Sequence, residues 1–465
     1  MKVKKWFLLL LAGIVILAGC TKNSENLIEK TGSSDLVEQS DDKDYIPPKM
    51  QGAISISVLE ADEILKIASD MFMKKYPDVK ITINAFRTIE TVKTEGGSTI
   101  GVNQSEELSN ENYISQLNTK IMSGKAEDIV LTSSIPIRKY TDISAFEDLT
   151  FFLNHTPEIN ADNYYMNIFE TMKDSKGKLY ELPLSCGLGT MIYFDKALVS
   201  EIDLVMENSV TEMSYQNALV YAKQLVDSTS KENTYLAHVR RNSADIIRGV
   251  FNDNYNEFID IENKKVNINT KQFIELLKMI EDLENQGYFD TNKSLDYNME
   301  YHFALDSDSD TQAVYYSLLP DTNRCYSMPL SDANGNIATS SYLRFGINSA
   351  SKNKELAWEF LKFMLSDEVQ TLPSSSNLSV NKKGFEISVD EQLKYYNDGN
   401  KTNVDKATFK NLLDGWVMQI NTYKPKDPTI EIFLSEEIRR FSDKEQSAEE
   451  TAKVLQSKID KYLNE

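Results

Sequence analysis

The chain contains few cysteines and few histidines, with three of each among its 465 residues. Cys20, Cys186 and Cys325 are too few for the disulfide framework that holds small secreted domains together. We expect buried thiols at positions 186 and 325, with a Cys186–Cys325 disulfide as the alternative. The histidines are widely separated and form no His-Glu-x-x-His zinc motif.

Motifs of the common enzyme classes are also missing. The sequence has no G-x-S-x-G elbow, no P-loop and no complete G-x-G-x-x-G fingerprint. Asp306, Asp308 and Asp310 are spaced like the start of a calcium-binding loop. However, Thr311 replaces the required glycine and Ser317 replaces the final glutamate. We therefore predict a solvated acidic loop there, and a protein with no catalytic residues, cofactor or metal site.

Positive charge is scarce, with 50 Lys and Arg against 71 Asp and Glu, which gives a net charge of −21. Nucleic acids require a basic surface, so the composition argues against a nucleic-acid partner. A hydrophobic content of 41% and a charged content of 26% are typical of a soluble globular protein. A chain of this length is expected to form two domains.

Only one long apolar run occurs, from Trp6 to Leu17, after a basic start. The order of charge, apolar run and small residues is that of an export signal. Leu17-Ala18-Gly19-Cys20 resembles the lipobox of bacterial lipoproteins. The resemblance implies a signal peptide at residues 1–19, acyl chains such as palmitate at Cys20, and anchoring to the extracellular face of the cell membrane. An ordinary secretion signal with an incidental cysteine is the alternative.

Residues 20–52 are polar and end in two prolines, so we predict a flexible tether. The alternation in Ile54–Leu59 predicts a strand, and Asp62 is placed to cap a following helix. Val79–Ile83 is the next predicted strand, so the fold begins with a β–α–β unit and a parallel sheet. Residues 88–112 are polar and are predicted to form a long surface loop or an insertion.

Helical periodicity recurs later in the chain, and one turn signal stands out. The segments Tyr215–Val226, Ser243–Phe251, Thr270–Asn285 and Lys354–Leu365 are predicted helices. Asn334-Gly335 is typical of a tight hairpin turn. The chain therefore has the alternating pattern of an α/β protein.

Five segments between residues 53 and 465 resemble extracellular solute-binding proteins of ABC importers, the class that includes maltose-binding protein. The resemblance implies the type II periplasmic-binding-protein-like fold, in which two α/β lobes are joined by hinge segments and enclose a ligand cleft. Asp195 departs from the Asn that is usual in the family. The segments are Lys74–Ile81, Ser123–Val130, Gly177–Pro183, Ile192–Lys196 and Phe345–Leu361.

The resemblance also implies how the chain divides between the lobes. The N-terminal lobe is expected to comprise residues 53–184 and 318–347, and the C-terminal lobe residues 185–317 and 348–465. The chain is expected to cross between lobes near residues 183–190, 315–321 and 346–351.

Ligand contacts are expected from loops at the carboxyl ends of strands. Alternatives remain open: Glu60 and Asp62 are also placed to cap a helix, residues 132–134 are also compatible with a loop that binds nothing, and Arg344 is also placed to pair with an acidic neighbour. Trp358 is predicted to be core, with Trp416 and Phe433 as weaker candidates for a stacking surface. The candidate ligand-binding residues are Glu60, Asp62, Thr132, Ser133, Ser134, Ser185, Gly187, Tyr342 and Arg344.

The function that the resemblance implies is capture of a small solute by cleft closure. The solute is expected to be a carbohydrate or oligosaccharide, the partners ABC permease subunits, and the protein a monomer. Two alternatives are a ligand-sensing lipoprotein for a signalling partner and a surface polysaccharide hydrolase.

Overall fold

The computed structural model describes residues 45–465 with short gaps. The predicted signal peptide, the lipidation site Cys20 and the tether up to residue 44 therefore lie outside the described residues. Within the part that is described, no helix is long and apolar enough to span a membrane. The gaps are residues 88–89, 94–98, 103–105, 188–189, 200–212, 239–242, 291–301, 320–323, 340, 342, 373–377, 401–402 and 425–426.

The first sheet has the strand order β2-β1-β5-β19-β6. Strand β1 pairs in parallel with β2 and β5, while β19 is antiparallel to β5 and β6. Ile54, Ile56 and Val58 project from the same face of β1 and are almost completely buried. The predicted β–α–β unit is confirmed. The strands are β1 (Gly52–Glu60), β2 (Val79–Arg87), β5 (Ile129–Leu131), β6 (Leu182–Pro183) and β19 (Arg344–Ile347).

The second sheet has six strands, in the order β16-β8-β17-β18-β21 with β9 beside β17. The Asn334-Gly335 signal is confirmed: it forms the turn between β17 and β18, where Gly335 has φ of 80°. The strands are β8 (Thr190–Asp195), β9 (Met213–Ser214), β16 (Leu305–Ser309), β17 (Arg324–Ser331), β18 (Ile337–Thr339) and β21 (Ile420–Tyr423).

Two features of this sheet differ from the expectations. The acidic loop predicted around Asp306–Asp310 is wrong, because Leu305–Ser309 pairs antiparallel with β8. Strand pairing satisfies backbone hydrogen-bonding groups whatever the side chains are. Strands β17 and β18 lie in the stretch 318–347 that was expected in the N-terminal lobe, yet they pair in the second sheet. The chain returns to the first sheet between Thr339 and Arg344.

Five further strand pairs lie outside the two sheets. The long loop predicted at residues 88–112 is wrong, since this stretch contains a β-hairpin and a helix that begins at Glu106. The pairs are β3 (Glu90–Lys93) with β4 (Thr99–Val102), β7 (Ser185–Cys186) with β20 (Leu378–Ser379), β10 (Thr234–Tyr235) with β15 (His302–Phe303), β11 (Ala237–His238) with β14 (Phe289–Asp290), and β12 (Ile259–Asp260) with β13 (Lys265–Val266).

The four predicted helices are confirmed as α7, α8, α10 and α12. The helices are α1 (Glu63–Lys75), α2 (Glu106–Met122), α3 (Ile137–Asp142), α4 (Thr150–Asn154), α5 (Met166–Thr171), α6 (Lys196–Val199), α7 (Tyr215–Ser228), α8 (Ala244–Asp253), α9 (Tyr255–Phe258), α10 (Lys271–Asn285), α11 (Asp310–Ser317), α12 (Lys354–Leu365), α13 (Asp367–Gln370), α14 (Lys382–Asn400), α15 (Lys406–Gln419), α16 (Pro428–Ser442) and α17 (Ala448–Asn464).

Each sheet is packed on its own set of helices. Around the second sheet, Phe194 packs with Phe251 and Phe273 and with the apolar faces of α16 and α17. Around the first sheet, Val130 packs with Tyr113 of α2 and other residues of α2 and α3. We call the first sheet with α1, α2, α3 and α12 lobe 1, and the second sheet with α7, α8, α10, α16 and α17 lobe 2.

Asp128 joins two of the segments that carry the family resemblance. Its carboxylate accepts hydrogen bonds from the Ser55 amide at 2.8 Å and the Ser55 hydroxyl at 2.9 Å. The Ser351 hydroxyl donates to the same carboxylate at 2.6 Å, and the side-chain amide of Asn353 donates to it at 3.3 Å. Partial burial would raise the pKa of Asp128, but these hydrogen bonds outweigh it and lower the pKa.

Candidate ligand-binding cleft

One edge of the first sheet carries several of the predicted ligand-binding residues. The parallel strands β1, β2 and β5 all end at this edge, so Glu60, Arg87 and the turn Thr132–Ser134 lie along it. The Arg87 Nε donates to Glu60 Oε2 at 3.2 Å. Arg87 Nη1 is buried and has no hydrogen-bond partner among the described residues. The edge therefore presents a carboxylate, a guanidinium and hydroxyl groups.

The Thr132–Ser134 turn is anchored to β19. Thr132 is fully buried, and its hydroxyl donates to the Arg344 carbonyl at 3.1 Å. Ser133 and Ser134 remain partly exposed at the sheet edge. Thr132 thus holds the turn in place, while the two serines are the members of the turn with surface available for a solute.

Arg344 belongs to a buried group of three side chains, which we call the Arg344 cluster (Glu181, Arg344 and Tyr423). The Arg344 Nε donates to Glu181 Oε1 at 3.0 Å, and the Tyr423 hydroxyl donates to Glu181 Oε2 at 3.2 Å. The Arg344 guanidinium lies 5.4 Å from the centroid of the Tyr423 ring and also donates to the Ser341 carbonyl. Arg344 therefore has the acidic partner that the sequence left as an alternative to ligand contact.

The Arg344 cluster links the two sheets. Glu181 directly precedes β6 and Arg344 begins β19, both in the first sheet, whereas Tyr423 ends β21 in the second. Burial would lower the pKa of Arg344, but Tyr423 and Glu181 outweigh burial and raise it. The guanidinium and the carboxylate are both almost completely buried, and each supplies the other's hydrogen-bond partner.

Ser185 and Gly187 lie where the chain leaves the first sheet. Ser185 pairs with Ser379 through β7 and β20, and both Ser185 and Gly187 are buried. The Ser185 hydroxyl has no hydrogen-bond partner in the part of the chain that the structure describes. A buried hydroxyl without a partner is costly, so this group can gain a hydrogen bond when a polar solute reaches it.

Lobe 2 faces the first lobe with the start of α16. Asp427 caps this helix by accepting hydrogen bonds from the Thr429 amide at 2.9 Å and the Ile430 amide at 3.4 Å, and Pro428 takes the first helical position. The Tyr462 hydroxyl donates to both Asp427 oxygens, at 3.1 and 3.0 Å. Burial raises the pKa of Asp427 despite these bonds.

A small cavity lies between α2 of lobe 1 and α16 of lobe 2. Its volume is about 190 Å³, which is below the roughly 300–1,000 Å³ of pockets that hold drug-sized ligands. The lining mixes polar and apolar side chains, as a small polar solute requires. The lining residues are Glu111, Ile114, Ser115 and Asn118 from α2 and Pro428, Thr429 and Ile432 from α16.

Three other candidate residues have different outcomes. Asp62 is exposed and caps α1 through a hydrogen bond from the Ile64 amide at 2.7 Å. Tyr342 lies outside the described residues. Trp358 is fully buried, and its indole donates to the Thr156 hydroxyl at 3.2 Å, so its predicted core position is confirmed.

The remaining aromatic and cysteine predictions concern packing. Trp416 is buried on α15, and Phe433 packs against the lobe 2 core with the Lys458 ammonium 5.5 Å from its ring centroid. Cys186 is a buried thiol, whereas the side chain of Cys325 lies outside what the structure describes. Among the described residues, no group of three or more His, Cys, Asp or Glu side chains is placed to hold a metal ion.

A family model for bacterial extracellular solute-binding proteins matches residues 57–371. The chain belongs to this family. Most of both sheets falls inside the matched region. No curated protein matches the chain in sequence.

Solved structures show that this solute-binding protein has the two-lobed fold of type II periplasmic binding proteins. An oligogalacturonide-binding protein from Yersinia enterocolitica is similar with a TM-score of 0.57 and 17% identity, covering 89% of this chain and 99% of that chain. A family 1 solute-binding protein from Alicyclobacillus acidocaldarius is similar with a TM-score of 0.54 and 13% identity, covering 90% of this chain and 100% of that chain. A Listeria monocytogenes ABC substrate-binding protein in complex with cycloalternan is similar with a TM-score of 0.52 and 14% identity, covering 89% of this chain and 99% of that chain.

Several residues of this region were not predicted from the sequence. Glu181 stands inside the segment Gly177–Pro183, but nothing in that segment shows that its carboxylate meets Arg344. The pair Asp427-Pro428 is a helix-start signal that could have been recognised. Tyr423 has no such signal, because its contacts are to residues more than 75 positions away.

Proposed function

We propose that this solute-binding protein captures a carbohydrate or oligosaccharide at the extracellular face of the membrane and delivers it to an ABC permease. The observation that carries the proposal is the family match over residues 57–371. The names of similar structures add support, since they include binders of oligogalacturonide and cycloalternan. Anchoring through Cys20 rests on the lipobox resemblance.

The chemistry of the sheet edge suits a polyhydroxylated solute. Ser133, Ser134 and Ser185 supply hydroxyl groups, and the Glu60–Arg87 pair supplies an acceptor and donors. Sugar hydroxyls both donate and accept, so they can bind this mixture without a net charge. A solute held by both lobes makes all its contacts only when the lobes are together. It therefore shifts the population towards the closed form, which a permease can recognise.

A thermal-shift screen tests the ligand class. The full-length protein in detergent would be mixed with maltooligosaccharides, oligogalacturonides and cyclic glucans, and with peptide and polyamine panels for comparison. A solute that binds the native state raises the unfolding temperature, by mass action. Stabilisation by one carbohydrate class is expected. Stabilisation only by peptides or polyamines would contradict the carbohydrate assignment.

Serine variants test the location of the site. Ser134→Ala and Ser185→Ala are each expected to weaken binding of the stabilising carbohydrate by about 5- to 10-fold, since each removes one hydrogen-bonding group. Ser123→Ala is the matched control, because Ser123 is exposed at the end of α2, where its hydroxyl bonds only to helix carbonyls. Unchanged affinity in both test variants would place the solute elsewhere.

The proposed anchor and transport role need separate experiments. Mass spectrometry of the membrane-bound protein is expected to find an acylated Cys20 as the first residue, and Cys20→Ser is expected to release the protein from the membrane. Loss of uptake of the stabilising carbohydrate on deletion of the protein would support import. Hydrolysis of that carbohydrate by the purified protein would favour the hydrolase alternative.

A further inference from the structure

Helix α3 carries two charged side chains across to lobe 2. The Lys139 ammonium lies 3.5 Å from the centroid of the Tyr462 ring on α17. Asp142, at the end of α3, forms an ion pair with Lys264, in which Asp142 Oδ2 lies 3.1 Å from Lys264 Nζ. Because α3 follows the Thr132–Ser134 turn almost directly, both contacts adjoin the proposed solute-binding edge.

The surface that receives Lys139 is preorganised. The Tyr462 hydroxyl donates to both oxygens of Asp427, so the ring is fixed with a buried carboxylate behind it. An aromatic face beside a carboxylate attracts a cation through the ring quadrupole and through charge. Burial lowers the pKa of Lys139, while Asp427 and Glu465 oppose that effect. The ammonium has thus lost part of its hydration and gained these contacts.

The second contact comes from the β12–β13 hairpin of lobe 2. Lys264 stands in its turn with φ of 53°, a left-handed conformation that a non-glycine residue seldom adopts. The Asn263 amide donates to Asp260 at 3.0 Å and stiffens this turn. The same hairpin contacts lobe 1 again, where the Ser175 amide donates to Glu262 at 3.3 Å.

We propose that Lys139 and Asp142 of α3 form a latch that holds the two lobes together before any solute arrives, so that Lys139 sets the solute affinity. The effect on affinity rests on the proposed function, whereas the effect on closure does not. A contact made only in the closed form increases the closed population by its own free energy. The apparent affinity for a solute that requires closure changes in proportion to that population.

The test compares interlobe distances in the full-length protein without any solute. Spin labels on unnatural amino acids would replace Met122 at the end of α2 and Lys271 at the start of α10, both strongly exposed. Pulsed electron resonance then reports the distance distribution between the lobes. Lys139→Met is expected to increase the ratio of long to short distances by about 5- to 30-fold, the range between an exposed and a desolvated cation–π contact.

Two variants separate a latch from a general effect of removing a lysine. Lys139→Arg keeps a cation over the ring and is expected to retain the wild-type distribution. Lys223→Met is the matched control, because the Lys223 ammonium lies 4.5 Å from the Tyr288 ring entirely within lobe 2. An unchanged distribution in Lys139→Met, or an equal change in Lys223→Met, would overturn the proposal.

A charge exchange keeps the proposal testable if Lys139→Met fails to fold. Asp142→Lys alone is expected to shift the distribution to longer distances, and the double variant Asp142→Lys with Lys264→Asp is expected to restore it. Failure of the restoration would contradict the latch. None of these measurements uses a solute, so their outcome is independent of the carbohydrate screen.

Discussion

Two of the contacts between the lobes differ in physical character. In the Arg344 cluster the side chains of Arg344 and Glu181 are 9% and 6% exposed, and every bond is enclosed by protein. In the α3 latch the ion pair of Asp142 and Lys264 is 47% and 46% exposed. Breaking a buried pair leaves an uncompensated charge, whereas an exposed pair exchanges its partner for water. The first contact is therefore suited to a fixed axis and the second to a reversible closure.

Position in the chain supports this division. Glu181 precedes the first passage between the sheets, and Arg344 follows the return passage, so the cluster adjoins these two passages. The chain passes to the second sheet once more between α12 and β21. The α3 latch lies beyond the Thr132–Ser134 turn. We expect opening of the lobes about these passages to separate the exposed α3 contacts before the buried cluster.

The largest expected effect comes from removing one partner of the buried pair. Arg344→Met leaves Glu181 charged and enclosed, so the free energy of unfolding is expected to fall by about 3–5 kcal/mol. Urea denaturation measures the change. Lys66→Met is the control, because its pair with Glu63 is exposed and is expected to contribute less than about 1 kcal/mol. Equal losses in the two variants would remove the contrast between buried and exposed contacts.

The pH dependence of stability tests the buried carboxylate of Asp253, whose partner Lys424 directly follows Tyr423 at the end of β21. Burial raises the pKa of Asp253 to about 7, although Lys424 opposes it at 3.8 Å. Because the pKa is higher in the folded state than in the unfolded state, protonated Asp253 stabilises the fold. This stabilisation is complete below the unfolded-state pKa and is lost as the pH rises through about 7. Relative to that of Asp253→Asn, the free energy of unfolding of the wild type is expected to fall as the pH rises from roughly 4 to 7, by at most about 1.4 kcal/mol per pH unit. A pH-independent difference in unfolding free energy would contradict the buried carboxylate.

A smaller effect is expected from the tyrosine of the cluster. Tyr423→Phe removes the hydroxyl that donates to Glu181 but keeps the ring against Arg344. The free energy of unfolding is expected to fall by about 1.5–3 kcal/mol, as for loss of a hydrogen bond to a charged group. Tyr395→Phe is the control, since Tyr395 is 75% exposed. No difference between the two variants in urea denaturation would show that the hydroxyl bond is not stabilising.

The smallest expected effect is that of salt, which should act differently on the two contacts. Between low salt and 1 M NaCl, screening is expected to weaken the exposed Asp142–Lys264 pair and to shift the interlobe distances modestly to longer values. The effect of Arg344→Met on unfolding free energy is expected to change little, because buried charges are poorly screened. The opposite pattern would mean that the roles of the two contacts are reversed.

Local patterns allowed much of the fold to be predicted from the sequence. The alternation in Ile54–Leu59, the cap at Asp62 and the Asn334-Gly335 turn are each specified by neighbouring residues. The segments around Asp128 and Ser351 were recognised separately, and the structure brings them together through hydrogen bonds. Each of these features depends on a short stretch of chain whose physical preference agrees with the fold.

The errors arose where distant pairing decides the structure. Leu305–Ser309 alternates acidic and hydroxyl residues and has no apolar pattern, yet β8 supplies its backbone partners. The partners of β17 and β18 likewise follow from sheet order, which no local signal gives. Within the candidate site, the Arg344 cluster unites residues up to 242 positions apart. Sequence patterns neither predicted the strand that ends at Tyr423 nor showed which of these residues meet.

The central claim is that the two lobes close on a carbohydrate. The most direct measurement is the interlobe distance between labels at positions 122 and 271 before and after addition of maltooligosaccharides, oligogalacturonides and cyclic glucans. One of these carbohydrates is expected to collapse the distribution into a single short-distance population. A distribution that no carbohydrate changes, but that peptides or polyamines shorten, would contradict the account.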